Sequence, residues 1–195
     1  ISSFISVAKI FGYFSSEKLQ NSYNAIMRKA LIIIAHSGYQ DYEYAGTRKG
    51  LEDAGFEIVI TAKEAVTCKG SLGGTGEATI AMRDVTVSDY DTIAYIGGPG
   101  AALLASDADA LKIANDAYRA EMPLGAICIA PTILAKAQVL SGKRATVWNE
   151  DGLQQEILET YGAEYTGESV TIDGNIVTGN GPKAAEEFGR TLANL

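Results

Sequence analysis

Histidine occurs once in this chain of 195 residues, tryptophan once, cysteine twice and proline four times. Two cysteines (Cys68 and Cys128), no CxxC pair and a single histidine, His36, are too few ligands for a zinc site of the usual Cys/His kind. No metal and no cofactor is therefore expected. Nor do two cysteines make a disulfide framework, so a reducing cytoplasm is the expected setting. No apolar run reaches the ~18 residues that a membrane span needs. Clustered positive charge is also lacking: 16 Lys and Arg stand against 24 Asp and Glu, for a formal charge of -8. That balance argues against nucleic acid or an anionic membrane as partner, since both need basic patches, and leaves small neutral or cationic partners open. What is present, 47% hydrophobic and 21% charged residues, is the composition of a soluble globular protein long enough for one domain with its own core.

Residues 1–26 differ in texture from the rest. They are rich in serine, carry no acid before Glu17 and no arginine, and place Phe4, Ile5, Ala8, Phe11 and Phe14 on one face of a would-be helix. We read them as a dispensable extension ahead of a start at Met27. A docking helix and a targeting peptide are the alternatives, the second weakened by the missing arginine.

From Met27 the pattern alternates. The continuous apolar run at 30–35 suits a strand buried on both faces of a parallel sheet, and further strands are expected at 56–62, within 90–101 ahead of its glycine-rich turn, at 124–128 and at 144–148. Helical patterns lie at 41–55, 107–122, 131–138, 152–162 and 182–195, with Gly55 placed as a C-terminal stop and Pro182 in a first turn. Residues 66–87 read as a small excursion or hairpin, and 169–179 as a hairpin turning at Asp-Gly-Asn. The glycine-rich stretch at 70–78 lacks the Gly-Lys-Ser/Thr ending of a phosphate loop and reads as a flexible loop. The expected fold is α/β, a doubly wound parallel sheet sandwiched by helices, with a small β-hairpin excursion. In such folds ligands collect at the carboxyl ends of the strands where the strand order switches. Three segments deliver unusual residues there: 36–43, 97–100 and Cys128.

Cys128 stands between a buried strand and a helix whose first-turn proline is Pro131. A nucleophile elbow has that form: a tight turn lifts the side chain clear and the following helix aims its N–H groups at it. A thiol so placed is expected to have a lowered pKa, and Gly125, Ala126 and Ala130 supply the small neighbours of a crowded turn. The competing reading is a plain core thiol, which cysteine often is.

The segments "GAICIAPTILAKAQVLSGKRATVW", "YIGGPGA", "YQDYEYAGTRKGLEDAGFEIVIT" and "VTGNGP" lie between residues 39 and 182. Together they resemble the ThiJ/PfpI superfamily over 27–195, the superfamily of the parkinsonism-associated protein deglycase, glyoxalase III-like chaperones and PfpI proteases. The resemblance implies a flavodoxin-like, class I glutamine amidotransferase-like architecture. It makes Cys128 the nucleophile, Glu43 a protonated carboxyl beside the sulfur, and Gly98 and Ile129 the backbone N–H donors to an oxyanion. His36, Gly97, Trp148 and Asn149 are weaker pocket candidates, and Cys68 is read as structural. The departure from the family pattern is Ile129, where the protease and chaperone-like branches place a histidine, so the proton shuttle of a Cys/His hydrolase is missing.

The expected function is therefore a cofactor-independent thiol enzyme of glyoxalase or deglycase type acting on a small carbonyl substrate. A redox-sensing or chaperone protein with an oxidisable Cys128 is the alternative, and an intracellular cysteine protease the third choice. A homo-oligomer, a dimer or larger, is implied by the resemblance.

Overall fold

Residues 27–195 are described by the computed structural model; the expectations for residues 1–26 fall outside them. In chain order the elements are β1 (Lys29–Ile33), β2 (Ser37–Tyr39), α1 (Asp41–Asp53), β3 (Glu57–Ala62), β4 (Thr67–Gly70), β5 (Thr75–Glu77), β6 (Ile80–Ala81), β7 (Thr92–Tyr95), α2 (Ala101–Leu104), α3 (Ala108–Arg119) and β8 (Leu124–Ile127). There follow α4 (Pro131–Lys136), β9 (Arg144–Ala145), α5 (Leu153–Thr160), β10 (Glu164–Tyr165), β11 (Val170–Asp173), β12 (Ile176–Gly179) and α6 (Ala185–Ala193), the last entered through a single 3-10 turn at Pro182–Ala184.

The central sheet has seven strands in the order β11-β12-β8-β7-β1-β3-β6. Every neighbouring pair is parallel except the β11–β12 hairpin. Apart from Lys29, the residues of β1, β7, β8 and β12 are all buried, as strands covered by helices on both faces must be. The chain winds outward from β1 through β3 to β6, then returns to the other side of β1 for β7, β8 and β12. The switch point lies between β1 and β7, and the crevice at their carboxyl ends is where such a sheet binds ligands.

Local signals explain the element boundaries. Helix α1 stops because Gly55 takes a φ of 86°, letting Phe56 N–H reach Leu51 O and Gly55 N–H reach Glu52 O. Asp107 caps α3 through the N–H groups of Asp109 and Ala110. Gly174, with a φ of 60°, supplies the first central residue of the β11–β12 turn. Helix α1 lies directly against α6: a Cβ on Gly50 would stand 2.6 Å from Arg190 N, and one on Gly46 2.7 Å from Ala185 Cβ.

Three expectations change. The strand expected at 144–148 shrinks to Arg144–Ala145, which pairs with β10 in a separate ribbon. The place beside β8 belongs to β12, and the next N–H groups are committed elsewhere, Thr146 to Thr178 Oγ1 and Trp148 to Cys128 O. The excursion at 66–87 holds the β4–β5 hairpin, which joins β2 in a three-stranded sheet, but its later part returns as β6, the edge strand of the central sheet. The glycine-rich loop, expected to be flexible, is fastened: Leu72 N–H donates to Asp41 Oδ2 and Gly74 N–H to Asp41 Oδ1, at 2.8 and 2.7 Å. Its backbone donors thus hold a carboxylate of the chain itself.

Candidate active site

Strand β8 ends at Ile127, and Cys128 takes a φ of 63°, one of three non-glycine residues with positive φ among those described. Such a conformation costs of order 1–3 kcal/mol and persists only where the surroundings impose it. Here both sides of the residue are tied: Cys128 N–H donates to Gly179 O at 2.8 Å, and Cys128 O accepts from Trp148 N–H at 2.9 Å. Helix α4 starts three residues later with Pro131, where a missing N–H costs nothing. The elbow is therefore present. Of the small neighbours, Gly125 serves a different purpose from the one expected: its absent Cβ makes room for Leu192 and Phe188 of α6.

Helix α1 brings the acid. Gln40 caps the helix, its Oε1 accepting from Glu43 N–H at 2.8 Å. In a capping box the residue at the Glu43 position would turn back to the N–H of residue 40. That N–H is instead bound to Gly97 O at 3.0 Å, and the Glu43 side chain points inward, fully buried, with Oε2 accepting from Gly97 N–H at 3.1 Å. Both polar groups of one glycine thus hold the start of α1 against the end of β7. The glycine pair is required by close approach. A Cβ on Gly97 would meet Cys128 Cβ at 2.5 Å, Glu43 Oε2 at 2.7 Å and Ile127 O at 2.7 Å. Gly98 has a φ of 98°, and a Cβ there would stand 2.5 Å from both Gln40 N and Gly38 O.

Burial raises the pKa of the Glu43 carboxyl to about 7, against smaller opposing contributions from Cys128 and Gly97 N–H. Burial, then the adjacent Glu43, pushes the Cys128 thiol up to about 12, while the N–H groups of Gly98 and Ile129 act in the opposite sense. The lowered thiol pKa expected at the elbow is therefore corrected. Helix α4 is only six residues long, and the cost of burying a thiolate beside a carboxylate exceeds what its N-terminus returns. Sulfur and carboxyl titrate as a pair: near neutrality the pair sheds its first proton and shares the second. The N–H groups of Gly98 and Ile129 are the two that favour a negative sulfur, and they make no other hydrogen bond among the described residues.

Cys128 is 8% exposed and opens into a cavity of about 360 Å3 whose wall includes Glu43, Gly98, Ile129, Trp148, Gln154 and Pro182. Of the residues singled out in the sequence, Cys128, Glu43, Gly97, Gly98, Ile129 and Trp148 come together here. His36 does not: it is exposed ahead of β2, absent from the cavity wall, and contributes its carbonyl to Lys69 N–H. Asn149 lies one residue beyond the wall, where its side chain binds Gln155 through two hydrogen bonds. Two further wall residues, Gln40 and Gln154, are not among those the sequence singles out. Gln40 is legible as a polar residue just before an acidic first turn; Gln154, one of two adjacent glutamines in a helix, carries no signal. Among the described residues, no group of three His, Cys, Asp or Glu side chains is placed to hold a metal ion, and no helix is long and apolar enough to cross a membrane.

The sequence profile of the DJ-1/PfpI family matches residues 28–195. The chain is 31% identical to the protein MJ0967 of Methanocaldococcus jannaschii over 90% of its own length and 84% of that protein's. It is 29% identical to YraA of Bacillus subtilis, a protein provisionally named a cysteine protease, over 87% of this chain and 99% of that one. The crystal structure of Drosophila melanogaster DJ-1beta superposes with a TM-score of 0.78 at 26% identity, covering 87% of this chain and 90% of the other. With a family match spanning nearly all the described residues, on the elbow, glycine pair and buried glutamate just set out, the chain belongs to the DJ-1/PfpI family.

Proposed function

We propose that the protein is a cofactor-independent cysteine enzyme acting on small reactive carbonyls, of glyoxalase or deglycase type. The observation that carries this reading is the buried Glu43–Cys128 pair, facing a small cavity beside two free backbone N–H groups, with no histidine on the wall. Such a pair can move a proton over a short distance, but it lacks the base and orienting partner that peptide hydrolysis requires.

With methylglyoxal, Cys128 Sγ bonds to the aldehyde carbon and the C=O electrons move to oxygen, where the Gly98 and Ile129 N–H groups meet the growing charge. The proton shared by the pair passes through Glu43 to that oxygen, giving a hemithioacetal. The Glu43 carboxylate then takes the C1 proton, the hydroxyl proton on the C1 oxygen passes to the C2 oxygen in the resulting enediolate, and Glu43 returns its proton to C2. C1 is thereby oxidised to a thioester as C2 is reduced to an alcohol. Water cleaves the thioester, releasing lactate and restoring Cys128, so one methylglyoxal and one water become one lactic acid.

The test is lactate formation from methylglyoxal by reduced protein, with Cys128→Ser alongside. Turnover that vanishes in the variant supports the reading. Absence of turnover in both, with Cys128 gaining two oxygens from peroxide, favours the second reading, a redox sensor or chaperone. The same two N–H groups and neutral Glu43 would hold a sulfinate there. A cysteine protease, the role in YraA's name, is disfavoured by Ile129. We further propose a homo-oligomer, which light scattering of the full chain decides.

A further inference from the structure

Asn180 and Gly181 form the one Asn-Gly pair in the chain. They lie between β12 and the 3-10 turn that leads into α6, just past the residue that holds the elbow, since Gly179 O accepts from Cys128 N–H. The peptide joining them is left unfastened by the fold itself. Continuing the parallel ladder of β8 and β12 would send Gly181 N–H to Cys128 O, but that oxygen accepts from Trp148 N–H instead. Among the described residues, Gly181 N–H and the Asn180 side chain therefore make no hydrogen bond. The other asparagines of this region are tied. Asn115 Nδ2 donates to Leu111 O, Asn175 Nδ2 to Glu121 O and Asn194 Nδ2 to Arg190 O, while the Asn149 side chain binds Gln155 twice. Each of those is also followed by a residue larger than glycine, whose side chain crowds the next peptide nitrogen.

We infer that Asn180 is a site of spontaneous modification, where the side-chain amide closes onto Gly181 N and reopens as isoaspartate, lengthening the backbone beside the Cys128 elbow. In the first step Gly181 N bonds to Asn180 Cγ, and the side-chain nitrogen leaves as ammonia with the Gly181 proton. Glycine favours this closure because no Cβ obstructs its nitrogen and its backbone turns freely; Gly181 already holds a φ of 147°. Water then breaks one of the two C–N bonds of the succinimide ring. Opening at Cγ gives aspartate in an unchanged chain, whereas opening at the main-chain carbonyl gives isoaspartate, whose backbone is one carbon longer. One water enters, one ammonia leaves, and nothing is oxidised. Water has access, because Asn180 is half-buried and borders a cavity of about 390 Å3 with Trp148, Tyr165 and Lys183. The added carbon falls between two supports of the site: Gly179 O, which holds Cys128 N–H, and Pro182, on the Cys128 cavity wall. Both ends are fixed, Asn180 N–H to Ser169 O and Gly181 O to Ala184 N–H, each at 2.9 Å, so the longer link displaces one of them. Cys128 keeps its positive φ only while its neighbours impose it, and a shift there draws the sulfur away from the Gly98 and Ile129 N–H groups.

The test ages the full chain under reductant at mildly alkaline pH and maps its peptides for the small mass gain that marks loss of an amide. Asn180 should deamidate at least about tenfold faster than Asn115, Asn149, Asn175 or Asn194 in the same digest, with isoaspartate the major product. Alkylation of Cys128 by 2-iodoacetamide should slow about tenfold in the isoaspartyl form. Asn180→Gln, whose amide must close a larger ring, should age without either change. Freshly prepared Asn180→Asp, which gains the charge but not the extra carbon, should keep the alkylation rate of fresh wild type. Treating the aged protein with an isoaspartyl methyltransferase, which returns the link to its normal length through the same succinimide, should restore that rate. Deamidation no faster at Asn180 than at the other asparagines overturns the site. Rapid deamidation with Cys128 alkylation unchanged or faster overturns its effect on the elbow, and fresh Asn180→Asp as slow as the aged wild type overturns the role of chain length. Neither readout involves turnover, so these outcomes are independent of the proposed carbonyl chemistry.

Discussion

The chain's two cysteines sit in contrasting sites. Cys68 lies in β4 of the small sheet, with no exposure, its Sγ donating to Val66 O at 3.5 Å. Cys128 lies at the end of β8 with 8% exposure and a strained φ. Burial raises both thiol pKa values, so pKa alone does not separate an inert sulfur from a reactive one. What differs is the provision for the moment the proton leaves. At Cys68 the nearby charge is Glu77, with only the Ala78 N–H acting in favour of the anion. At Cys128 two N–H groups favour it, and the adjacent carboxyl, its pKa raised to about 7, can hold the proton nearby. On the proposed reading, the reactivity of Cys128 rests on a placed proton acceptor and a placed cradle and not on an intrinsically acidic thiol.

The largest expected effect breaks the Cys128 side of this comparison outright. Cys128→Ser should lower methylglyoxal turnover about 1000-fold or more, because the hydroxyl ionises far less readily and the elbow offers no base to compensate. Turnover within tenfold of wild type would remove Cys128 as nucleophile. Next comes the cradle. Gly97→Ala would drive a methyl into Glu43 Oε2 and into Cys128 Cβ and Ile127 O, the last two of which are fixed to the backbone and cannot swing aside. The strand or the start of α1 must shift, at a cost of about 1–3 kcal/mol in stability. Activity should drop about 100-fold, since displacements of an ångström matter that much in a site of this kind. Chemical denaturation and lactate assays on the same preparation separate the two losses.

Much of this site is legible in the sequence, and the reason is local. The order strand, cysteine, proline, helix fixes an elbow through backbone preferences alone, and two adjacent glycines after a buried strand mark a place where chains approach closely. Glu43 is legible only through resemblance. Its inward turn depends on Gly97 O claiming the Gln40 N–H, a contact between segments far apart in the chain. Gln154 is a similar case, its place on the cavity wall decided by where α5 lands. His36 misleads because its position after the first strand is right while the chain turns it outward into β2. The strand at 144–148 shortens for a related reason. Apolar character shows that a segment is buried, not which neighbour it pairs with, and the 169–179 hairpin fills the place beside β8. The thiol pKa escapes a sequence reading because an elbow displays its helix in the residue order and hides its desolvation.

A smaller change sharpens the comparison by removing the acid and keeping its shape. Glu43 has a folded pKa of about 7 against an ordinary 4.5, so the folded chain holds this proton more tightly than the unfolded one. Its contribution to stability is full below 4.5 and is lost as the pH rises through 7, a change of about 3 kcal/mol. Glu43→Gln should flatten that slope, as denaturation at pH 4.5 and pH 8 reads directly. The same substitution should reorganise the chemistry. In the wild type, Cys128 alkylation should rise through about pH 7 as the pair loses its first proton. In Glu43→Gln the rise should move above 7, to a single thiol titration below the wild type's upper value of about 12, because the neighbouring charge is gone. Turnover should fall about 100-fold, the usual worth of one proton-transfer group. A wild-type profile identical to that of the variant would dissolve the pair.

The smallest effect tests the quiet side. Cys68→Ala removes one buried sulfur from β4, whose neighbour across the strand is Gly76. The loss should be about 1 kcal/mol, that of a small cavity, measured as a shift in the urea midpoint with an unchanged slope. Methylglyoxal turnover and the Cys128 alkylation profile should match wild type, because neither the elbow nor the cavity wall includes β4. A fall in turnover beyond what the stability loss explains would mean that the small sheet speaks to the site. The route would be Tyr39, which ends β2, joins β4 in the same sheet, and precedes the Gln40 cap that sets Glu43. In that case the reactive thiol and the buried one would form one mechanical unit, and the contrast between them would be one of role within it.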